Sequence, residues 1–162
     1  MSDTSAEPDH PGVVMLPMTM LLIAIVSSVV LDLIVPIAFL PGPGFASWSS
    51  WIGVLLFVAG YWLAISGRRE FIRSGTNVYP HMPALRLVTT GPYRFTRNPM
   101  YLGLIVGLAG IDLAFSLEMG IAVLVLFALA LHYGVVMREE RYLTRKFGSP
   151  YEEFRQRTRR WG

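Results

Sequence analysis

Residues 119–137 read MGIAVLVLFALALHYGVVM and contain no Asp, Glu, Lys or Arg. An α-helix needs about 20 mostly apolar residues to cross the hydrocarbon core of a bilayer, so this stretch predicts a membrane-spanning helix. The composition supports the same class of protein, because 53% of the 162 residues are hydrophobic and 15% are charged. An average soluble domain has about 25% charged residues.

Three further apolar stretches precede this one, over residues 15–40, 48–66 and 100–115. The first two are long enough to span a bilayer. The third covers roughly 24 Å at about 1.5 Å per residue, so we expect it to form a tight hairpin with residues 119–137, turning near Ser116. The sequence therefore predicts an all-α, polytopic integral membrane protein with about four transmembrane helices, two of which form a hairpin in the C-terminal half.

The basic residues are confined to two segments. All 14 Lys and Arg residues lie within residues 68–97 or 138–160. The positive-inside rule places both segments in the cytoplasm, and four spans then place both termini there too. The basic residues flank apolar spans, so we expect membrane lipid rather than nucleic acid as their partner.

The ends of the chain and the acidic residues complete this outline. Residues 1–14 contain no Lys or Arg and so do not fit the positive n-region of a secretory signal. We predict that they form a disordered tail before a single domain over residues 15–162.

Asp32 and Asp112 lie within apolar stretches, where charged groups are costly. We expect Asp32 to face the bundle and Asp112 to be a solvated cap at the outer turn. The chain has no cysteine, which excludes disulfides and thiolate ligands.

The first candidate motif is GPYRFTRNPMYLG, residues 91–103. Asn98 is a favourable N-cap and Pro99 a favourable first helical residue, so a helix should begin here. The N-terminus of that helix can receive an anionic group such as a carboxylate. Gly103 and Gly107 form a small-xxx-small pair that permits close helix packing.

The second candidate motif is REERYLTRKFGSPYE, residues 138–152, which follows the last span directly. Paired carboxylates at a membrane boundary are unusual. Gly148 can end one helix, and Ser149 with Glu152 matches a capping box for another helix, with Pro150 at its first position. We therefore predict an amphipathic C-terminal helix that lies on the cytoplasmic membrane surface or folds back over the loop.

Together, residues 87–94, 97–103 and 139–151 resemble the isoprenylcysteine carboxyl methyltransferase family and related membrane phospholipid methyltransferases. The resemblance implies that S-adenosylmethionine binds in a cytoplasm-facing pocket roofed by the C-terminal helices, and that the lipid part of the acceptor enters between helices from the bilayer. The family's motif has a histidine between the arginine and the proline. Here that residue is Asn98, which cannot titrate near neutral pH.

The resemblance and the helix start together predict the site residues. A sulfonium methyl donor is already activated, so the reaction needs alignment and exclusion of water rather than a metal. We expect Glu140 to bind the polar end of the cofactor or the acceptor, Glu139 to replace it if the helix is rotated, and Arg145 to bind the acceptor's polar head; these three are the catalytic candidates. The predicted cofactor contacts are Tyr93, Arg97, Asn98, Tyr101, Leu102, Gly103, His132 and Glu140.

The residues leave several functions open. The acceptor could be an isoprenylcysteine-type carboxylate, a phospholipid amine or a thiol. A reductase that uses a nicotinamide cofactor is a further possibility, but the chain is short for it and has no additional phosphate-binding motif. The alternative from another class is a non-catalytic helical membrane carrier or scaffold protein. It would explain the spans and the charge asymmetry but would not require the two motifs.

Overall fold

The computed structural model describes residues 9–162, and within them the regular structure is helical. A 3₁₀ turn over Gly91–Arg94 precedes the third α-helix, and a π-helical turn over His132–Val136 joins the fourth helix to the fifth. The all-α prediction is confirmed. The α-helices are α1 (Pro17–Ile34), α2 (Trp48–Arg73), α3 (Pro99–Ala114), α4 (Gly120–Leu131), α5 (Met137–Phe147) and α6 (Ser149–Arg157).

Three stretches are long and apolar enough to cross a membrane: α1, α2 and the continuous helix from α4 to the end of α5. Helix α3 is apolar but has only 16 residues, as its sequence predicted. Large apolar side chains face outward along these helices, for example Leu22 at 62% and Leu55 at 68% exposure. An apolar exterior is what a lipid environment requires, so the prediction of a polytopic membrane protein is confirmed.

Local sequence explains most of the helix ends. Helix α1 ends at Ile34 because a residue before a proline, here Val35 before Pro36, disfavours helical backbone angles. Helix α2 begins at Trp48 as predicted, but it continues to Arg73 instead of stopping near residue 66. The predicted hairpin turn is present at Ser116, which has a positive φ of 55°.

Helices α2 and α3 pack through glycines spaced seven residues apart, which we call the glycine seam. A Cβ atom on Gly60 would lie 2.5 Å from the backbone N of Gly107, and one on Gly53 would lie 2.3 Å from that of Ala114. On α3 the corresponding tight positions are Gly103 and Gly110, since a Cβ on Gly107 would meet nothing within 4 Å. Gly60 packs against both Gly103 and Gly107, as predicted for a small-xxx-small pair, and the tight positions on each helix recur every seven residues.

Both basic segments meet at one end of the helix bundle. The backbone N–H of Arg97 donates to the carbonyl of Arg159 at 2.9 Å, and the Thr96 hydroxyl donates to the carbonyl of Arg160 at 2.9 Å. At the opposite end, the Ser116 hydroxyl donates to the Pro41 carbonyl at 2.7 Å. The molecule therefore has one basic end and one end that lacks Lys and Arg.

The expectation for Asp112 is wrong. Its side chain is buried, at 6% exposure, and packs so closely on Gly120 that a Cβ there would lie 2.4 Å from the Asp112 Cγ. The cause is the tight turn at Ser116, which brings the start of α4 back over the end of α3. Asp32 is half-buried, and its Oδ1 lies 3.5 Å from the backbone N of Met119, just before α4.

Part of the predicted disordered tail is held in place. Residues 1–8 lie outside the described residues, whereas residues 9–14 contact side chains of α5. The Asp9 carboxylate accepts hydrogen bonds from Lys146 Nζ at 2.6 and 2.8 Å and from the Tyr142 hydroxyl at 2.9 Å, and Arg138 Nη1 donates to the Gly12 carbonyl at 2.9 Å. Residues 9–14 therefore differ from the prediction, because α5 offers them charged and hydrogen-bonding partners.

Candidate functional site

A cavity opens at the basic end, between the loop after α2, the start of α3 and helices α5 and α6. Its apolar lining includes Phe71, Val88, Leu143 and Phe154. We call it the motif cavity, because both candidate motifs contribute to it. Six of the predicted site residues line it: Tyr93, Arg97, Asn98, Tyr101, Glu139 and Glu140.

The start of α3 positions Arg97 and Asn98. Helix α3 begins at Pro99 as predicted, but the Asn98 side chain makes no capping hydrogen bond. Its Nδ2 instead donates to the carbonyl of Arg160 at 3.1 Å, in the segment after α6. The second predicted cap is also absent, because α6 starts at Ser149 after Gly148 without a side-chain capping bond. A tertiary hydrogen bond to the segment after α6 thus replaces the predicted local cap of α3.

Glu140 is the centre of the ion pairs in the motif cavity. Its Oε1 accepts from Arg160 Nε at 2.8 Å and its Oε2 from Arg160 Nη2 at 2.7 Å. Arg97 Nη1 lies 3.4 Å from the same Oε1, and the side chains of Arg97 and Glu140 are each 10% exposed. Paired Arg–carboxylate bonds of this kind fix geometry as well as charge. Glu140 therefore holds two guanidinium groups in defined orientations.

Three buried donor atoms on two residues of the motif cavity make no hydrogen bond, although one of these residues, Arg97, is ion-paired with Glu140. Arg97 Nε and Nη1 and the Tyr93 hydroxyl make no hydrogen bond. Burial, together with the charges of Glu139 and Glu70, raises the pKa of Tyr93 well above its usual range, so its hydroxyl keeps its proton and remains a donor. Buried donors are normally satisfied. Both residues line the motif cavity, so each can donate to an acceptor group of a ligand there.

Glu139 and Tyr101 form a second polar element of the motif cavity. The Tyr101 hydroxyl donates to Glu139 Oε1 at 2.5 Å. Both residues line the cavity, and the Glu139 carboxylate binds Tyr101 while Glu140 binds the two arginines. A glutamate carboxyl group can accept hydrogen bonds whether it is ionised or protonated. Glu139 can therefore accept further hydrogen bonds from a ligand hydroxyl or ammonium group.

The remaining predicted residues lie elsewhere. Leu102 and His132 line a groove between α3 and α4, where the rings of His132 and Trp161 are 6.0 Å apart. Gly103 belongs to the glycine seam, with the position of its missing Cβ 2.5 Å from the Gly60 carbonyl oxygen. Arg145 lines a third cavity, on the face of α5 that carries Arg141. The structure thus separates the ten predicted residues into four locations.

Comparison with known proteins supports the family resemblance that was inferred from the two motifs. The profile of the phospholipid methyltransferase family matches residues 48–150, well over half of the chain. The chain belongs to this family. It is also 35% identical over 72 residues to the nickel-cobalt-cadmium resistance protein NccN of Alcaligenes xylosoxydans xylosoxydans, a match that covers 44% of this chain and 33% of that protein. The chain thus spans about a third of that relative's length. No solved structure matches the chain significantly.

The phospholipid methyltransferase family is part of the isoprenylcysteine carboxyl methyltransferase-like group of membrane methyltransferases. The matched region contains α2, α3, α4 and α5, and so most of the motif cavity. Within residues 9–162, no group of three or more His, Asp and Glu side chains is arranged to hold a metal ion. The cavity presents instead arginine, tyrosine and carboxylate groups on an apolar wall, in a family that transfers methyl groups at membranes.

Sequence reasoning missed two contributors from the segment after α6. Arg160 binds Glu140 and Asn98, and Trp161 covers His132. No local pattern distinguishes Arg160 from the other arginines near it, because its partners lie 20 and 62 residues away. The seven-residue spacing of Gly53, Gly60 and Gly67 was a detectable signal for the glycine seam.

Proposed function

We propose that this chain transfers a methyl group from S-adenosylmethionine to a lipophilic acceptor in the membrane. The observation that carries the proposal is the presence of buried donor atoms without hydrogen bonds, Arg97 Nε and Nη1 and the Tyr93 hydroxyl, in the motif cavity of a membrane methyltransferase family member. The methionyl carboxylate of the cofactor would accept hydrogen bonds from both residues. A charge-assisted hydrogen bond to a buried arginine contributes roughly 1.5–3 kcal/mol.

The other groups of the cavity fit the remaining parts of this cofactor. Glu139 would accept hydrogen bonds from the ammonium group or the ribose hydroxyls, with Tyr101 orienting its carboxylate. The apolar wall formed by Val88, Leu143 and Phe154 would receive the adenine. When bound, the cofactor supplies a methyl group on a positively charged sulfur. The residues of the chain hold the reactants in line and exclude water.

The acceptor is proposed to reach the site from the bilayer. The groove between α3 and α4 is lined by Leu102, Ile105 and Leu129 along its apolar length and by His132 and Trp161 at one end. This lining suits an acyl or prenyl chain, with the methyl-accepting group directed toward the basic end. An isoprenylcysteine-type carboxylate, a phospholipid amine and a lipophilic thiol remain the candidate acceptors. Arg145 is proposed to bind the acceptor's polar head.

The active face is proposed to be cytoplasmic. The two basic segments meet at the end of the bundle that carries the motif cavity. Positively charged segments of this kind are retained in the cytoplasm. A reporter fused after residue 162 should therefore be active only when it is of a type that functions in the cytoplasm. Activity of a reporter that functions only outside would overturn this orientation.

The decisive experiment is binding and turnover with matched arginine variants. Detergent-purified protein should bind S-adenosylmethionine and its demethylated product in calorimetry, and should methylate a membrane lipid extract with labelled cofactor. Arg97→Gln should weaken cofactor binding by about 10- to 150-fold, because one charge-assisted contact is lost. The matched control is Arg94→Gln, an exposed arginine of the same motif, which should bind as the wild type does.

The alternative is a non-catalytic membrane carrier or scaffold, which explains the spans but gives no reason for these unsatisfied donor atoms. Wild-type protein that is folded in detergent but binds neither cofactor nor product would favour this alternative. Equal affinity in the Arg97 and Arg94 variants would place the cofactor outside the motif cavity.

A further inference from the structure

The segment before α1 forms part of the wall of the motif cavity. Pro11 lines the cavity, together with Ala84 of the loop after α2 and Tyr142 of α5. These three residues come from distant parts of the chain, and hydrogen bonds join their segments at one place. We call residues 9–11 the strap, because Asp9 binds two side chains of α5 and Pro11 lies in the cavity wall.

The Tyr142 hydroxyl is the point at which these segments are joined. It donates to Asp9 Oδ1 at 2.9 Å, and it accepts from the backbone N–H of Ala84 at 2.9 Å and from Lys146 Nζ at 3.0 Å. A tyrosine hydroxyl has one proton to donate, and here that proton is directed to the strap. Lys146 Nζ also donates to both Asp9 carboxylate oxygens. Tyr142 and Lys146 therefore form a latch for the strap.

Residues 9–14 are held with unequal strength at their two ends. At one end, the Val14 backbone N–H donates to the Gly134 carbonyl at 3.1 Å, and Val13 packs against the core of the bundle. At the other end, the latch holds Asp9, whose side chain is 63% exposed. Water screens such an exposed ion pair, so it contributes little to stability. The strap should therefore leave α5 much more readily than Val13 and Val14 leave the bundle.

Gly12 lies between the anchored end and the latched end. Its φ is 61°, in the left-handed region that favours glycine, and Arg138 Nη1 donates to its carbonyl at 2.9 Å. Hinges are a few loop residues that absorb a change in backbone angles, and Gly12 meets this description. The strap can turn about Gly12 while Val13 and Val14 stay in place.

We propose that the strap is a gate over the motif cavity, and that release of Asp9 from Tyr142 and Lys146 opens the cavity for ligand exchange. A methyl donor that enters from water must be enclosed afterwards, because the reaction requires exclusion of water. A latch made of exposed charges suits this role, since it closes the cavity and still opens readily. The role in cofactor exchange rests on the proposed function, whereas the opening motion does not.

Thiol labelling tests the gate without any cofactor. The chain contains no cysteine, so Val88→Cys places a single thiol in the lining of the motif cavity, at a position that is 6% exposed. A small methanethiosulfonate reagent then reacts at a rate that reports how often the cavity opens. The matched control is Glu153→Cys, at an exposed position of α6, which reports the reactivity of the reagent and the integrity of the fold.

Latch variants should speed the labelling of the cavity thiol and leave the control thiol unchanged. Asp9→Ala and Lys146→Glu should each raise the rate by about two- to fivefold, as expected for the loss of an exposed ion pair. Tyr142→Phe keeps the ring in the cavity wall and should raise the rate by about 2- to 12-fold, because hydrogen bonds of the hydroxyl are lost. The double variant Asp9→Lys/Lys146→Glu restores the ion pair with the charges exchanged, and should return the rate to near that of the wild type.

Three labelling results would overturn the proposal. Unchanged labelling at residue 88 in Asp9→Ala and Lys146→Glu would show that the strap does not control access. Equal acceleration at residue 153 would mean that the variants loosen the whole protein. A charge-exchanged variant that labels as fast as Lys146→Glu would mean that the ion pair is not the latch.

Cofactor kinetics test the same gate with Val88 and Glu153 in place. In Asp9→Ala, the association and dissociation rate constants of the demethylated cofactor product should both rise by about two- to fivefold, so that the equilibrium affinity stays within about twofold of the wild type. Faster dissociation with unchanged association would identify the strap as a ligand contact and overturn the gate. Wild-type protein that binds neither cofactor nor product would refute the proposed function, and the thiol labelling would still decide whether the strap opens and closes the cavity.

Discussion

Glu140→Gln is the most informative single substitution in the motif cavity. The change keeps the shape of the side chain and removes its charge. The Glu140 carboxylate now accepts two hydrogen bonds from Arg160 and lies 3.4 Å from Arg97 Nη1. A glutamine offers one acceptor oxygen, and its NH₂ group would face guanidinium donors. Arg97, whose side chain is 10% exposed, would then be buried without a counter-charge.

The expected loss of stability follows from this burial. Removing one partner of a buried ion pair costs roughly 3–5 kcal/mol. The Arg160 side chain is 32% exposed, so water screens part of its interaction, and we reduce the figure to about 2–3 kcal/mol. For a chain of this length, each kcal/mol lowers the melting temperature by about 2–4 °C. We therefore expect a decrease of about 4–12 °C in detergent.

Cofactor binding gives an independent measurement on the same variant. If Glu140 holds Arg97 in its binding orientation or contacts the cofactor directly, affinity for S-adenosylmethionine should fall by about 10- to 150-fold. The control is Glu153→Gln, an exposed glutamate on α6, which should change stability by less than about 0.5 kcal/mol. Tighter cofactor binding in Glu140→Gln would refute the positioning role, because Glu140 would then compete for Arg97. Wild-type melting and affinity would show that Glu140 is a solvated charge without a role in the site.

Three further predictions concern other parts of the structure. Gly60→Ala should destabilise the protein by about 1–3 kcal/mol, because its Cβ would overlap the α3 backbone; Gly107→Ala should melt at or above the wild-type temperature, since its Cβ meets nothing within 4 Å. Tyr93→Phe should raise the melting temperature without ligand, because it removes a buried hydroxyl that has no partner. The same variant should bind the cofactor about 2- to 12-fold more weakly. The assignment would be contradicted if the melting temperature and the cofactor affinity both rose or both fell. Hydrogen bonds from Lys146 and Tyr142 hold the pKa of Asp9 below its usual range, so this contact stabilises the native state above the unfolded pKa and is lost as the pH falls through the folded pKa. Asp9→Asn should therefore increase hydrogen exchange at residues 9–14 at neutral pH, and unchanged exchange would show that the contact does not hold them.

The sequence predicted helices and turns well where the signal is local. The start of α2 at Trp48, the start of α3 at Pro99 and the turn at Ser116 all follow from apolar runs and from proline or turn chemistry. The continuation of α2 to Arg73 was missed, because its last turns are polar and lie beyond the apolar stretch from which the helix was predicted. The burial of Asp112 was missed because it depends on how closely the next helix folds back.

The sequence predicted which two motifs contribute residues to the candidate site, and residues of both motifs line one cavity. Arg97, Asn98 and Tyr101 lie together at the start of α3, and they line the same cavity as Glu139 and Glu140 of the second motif. Sequence spacing could not decide which side of α3 each residue faces. Leu102 follows Tyr101 directly but lies in the groove with His132, since successive helical residues point about 100° apart.

The segment after α6 explains why the motif residues alone do not complete the site. The family match ends at residue 150, yet the groups that fix the start of α3 lie beyond it. The Arg159 carbonyl accepts from the Arg97 backbone, and the Arg160 carbonyl accepts from Asn98. The Arg160 side chain in turn binds Glu140, which faces Arg97. The orientation of Arg97 is therefore set from two sides by a segment outside the matched region, and substitutions in that segment should alter cofactor binding without touching either motif.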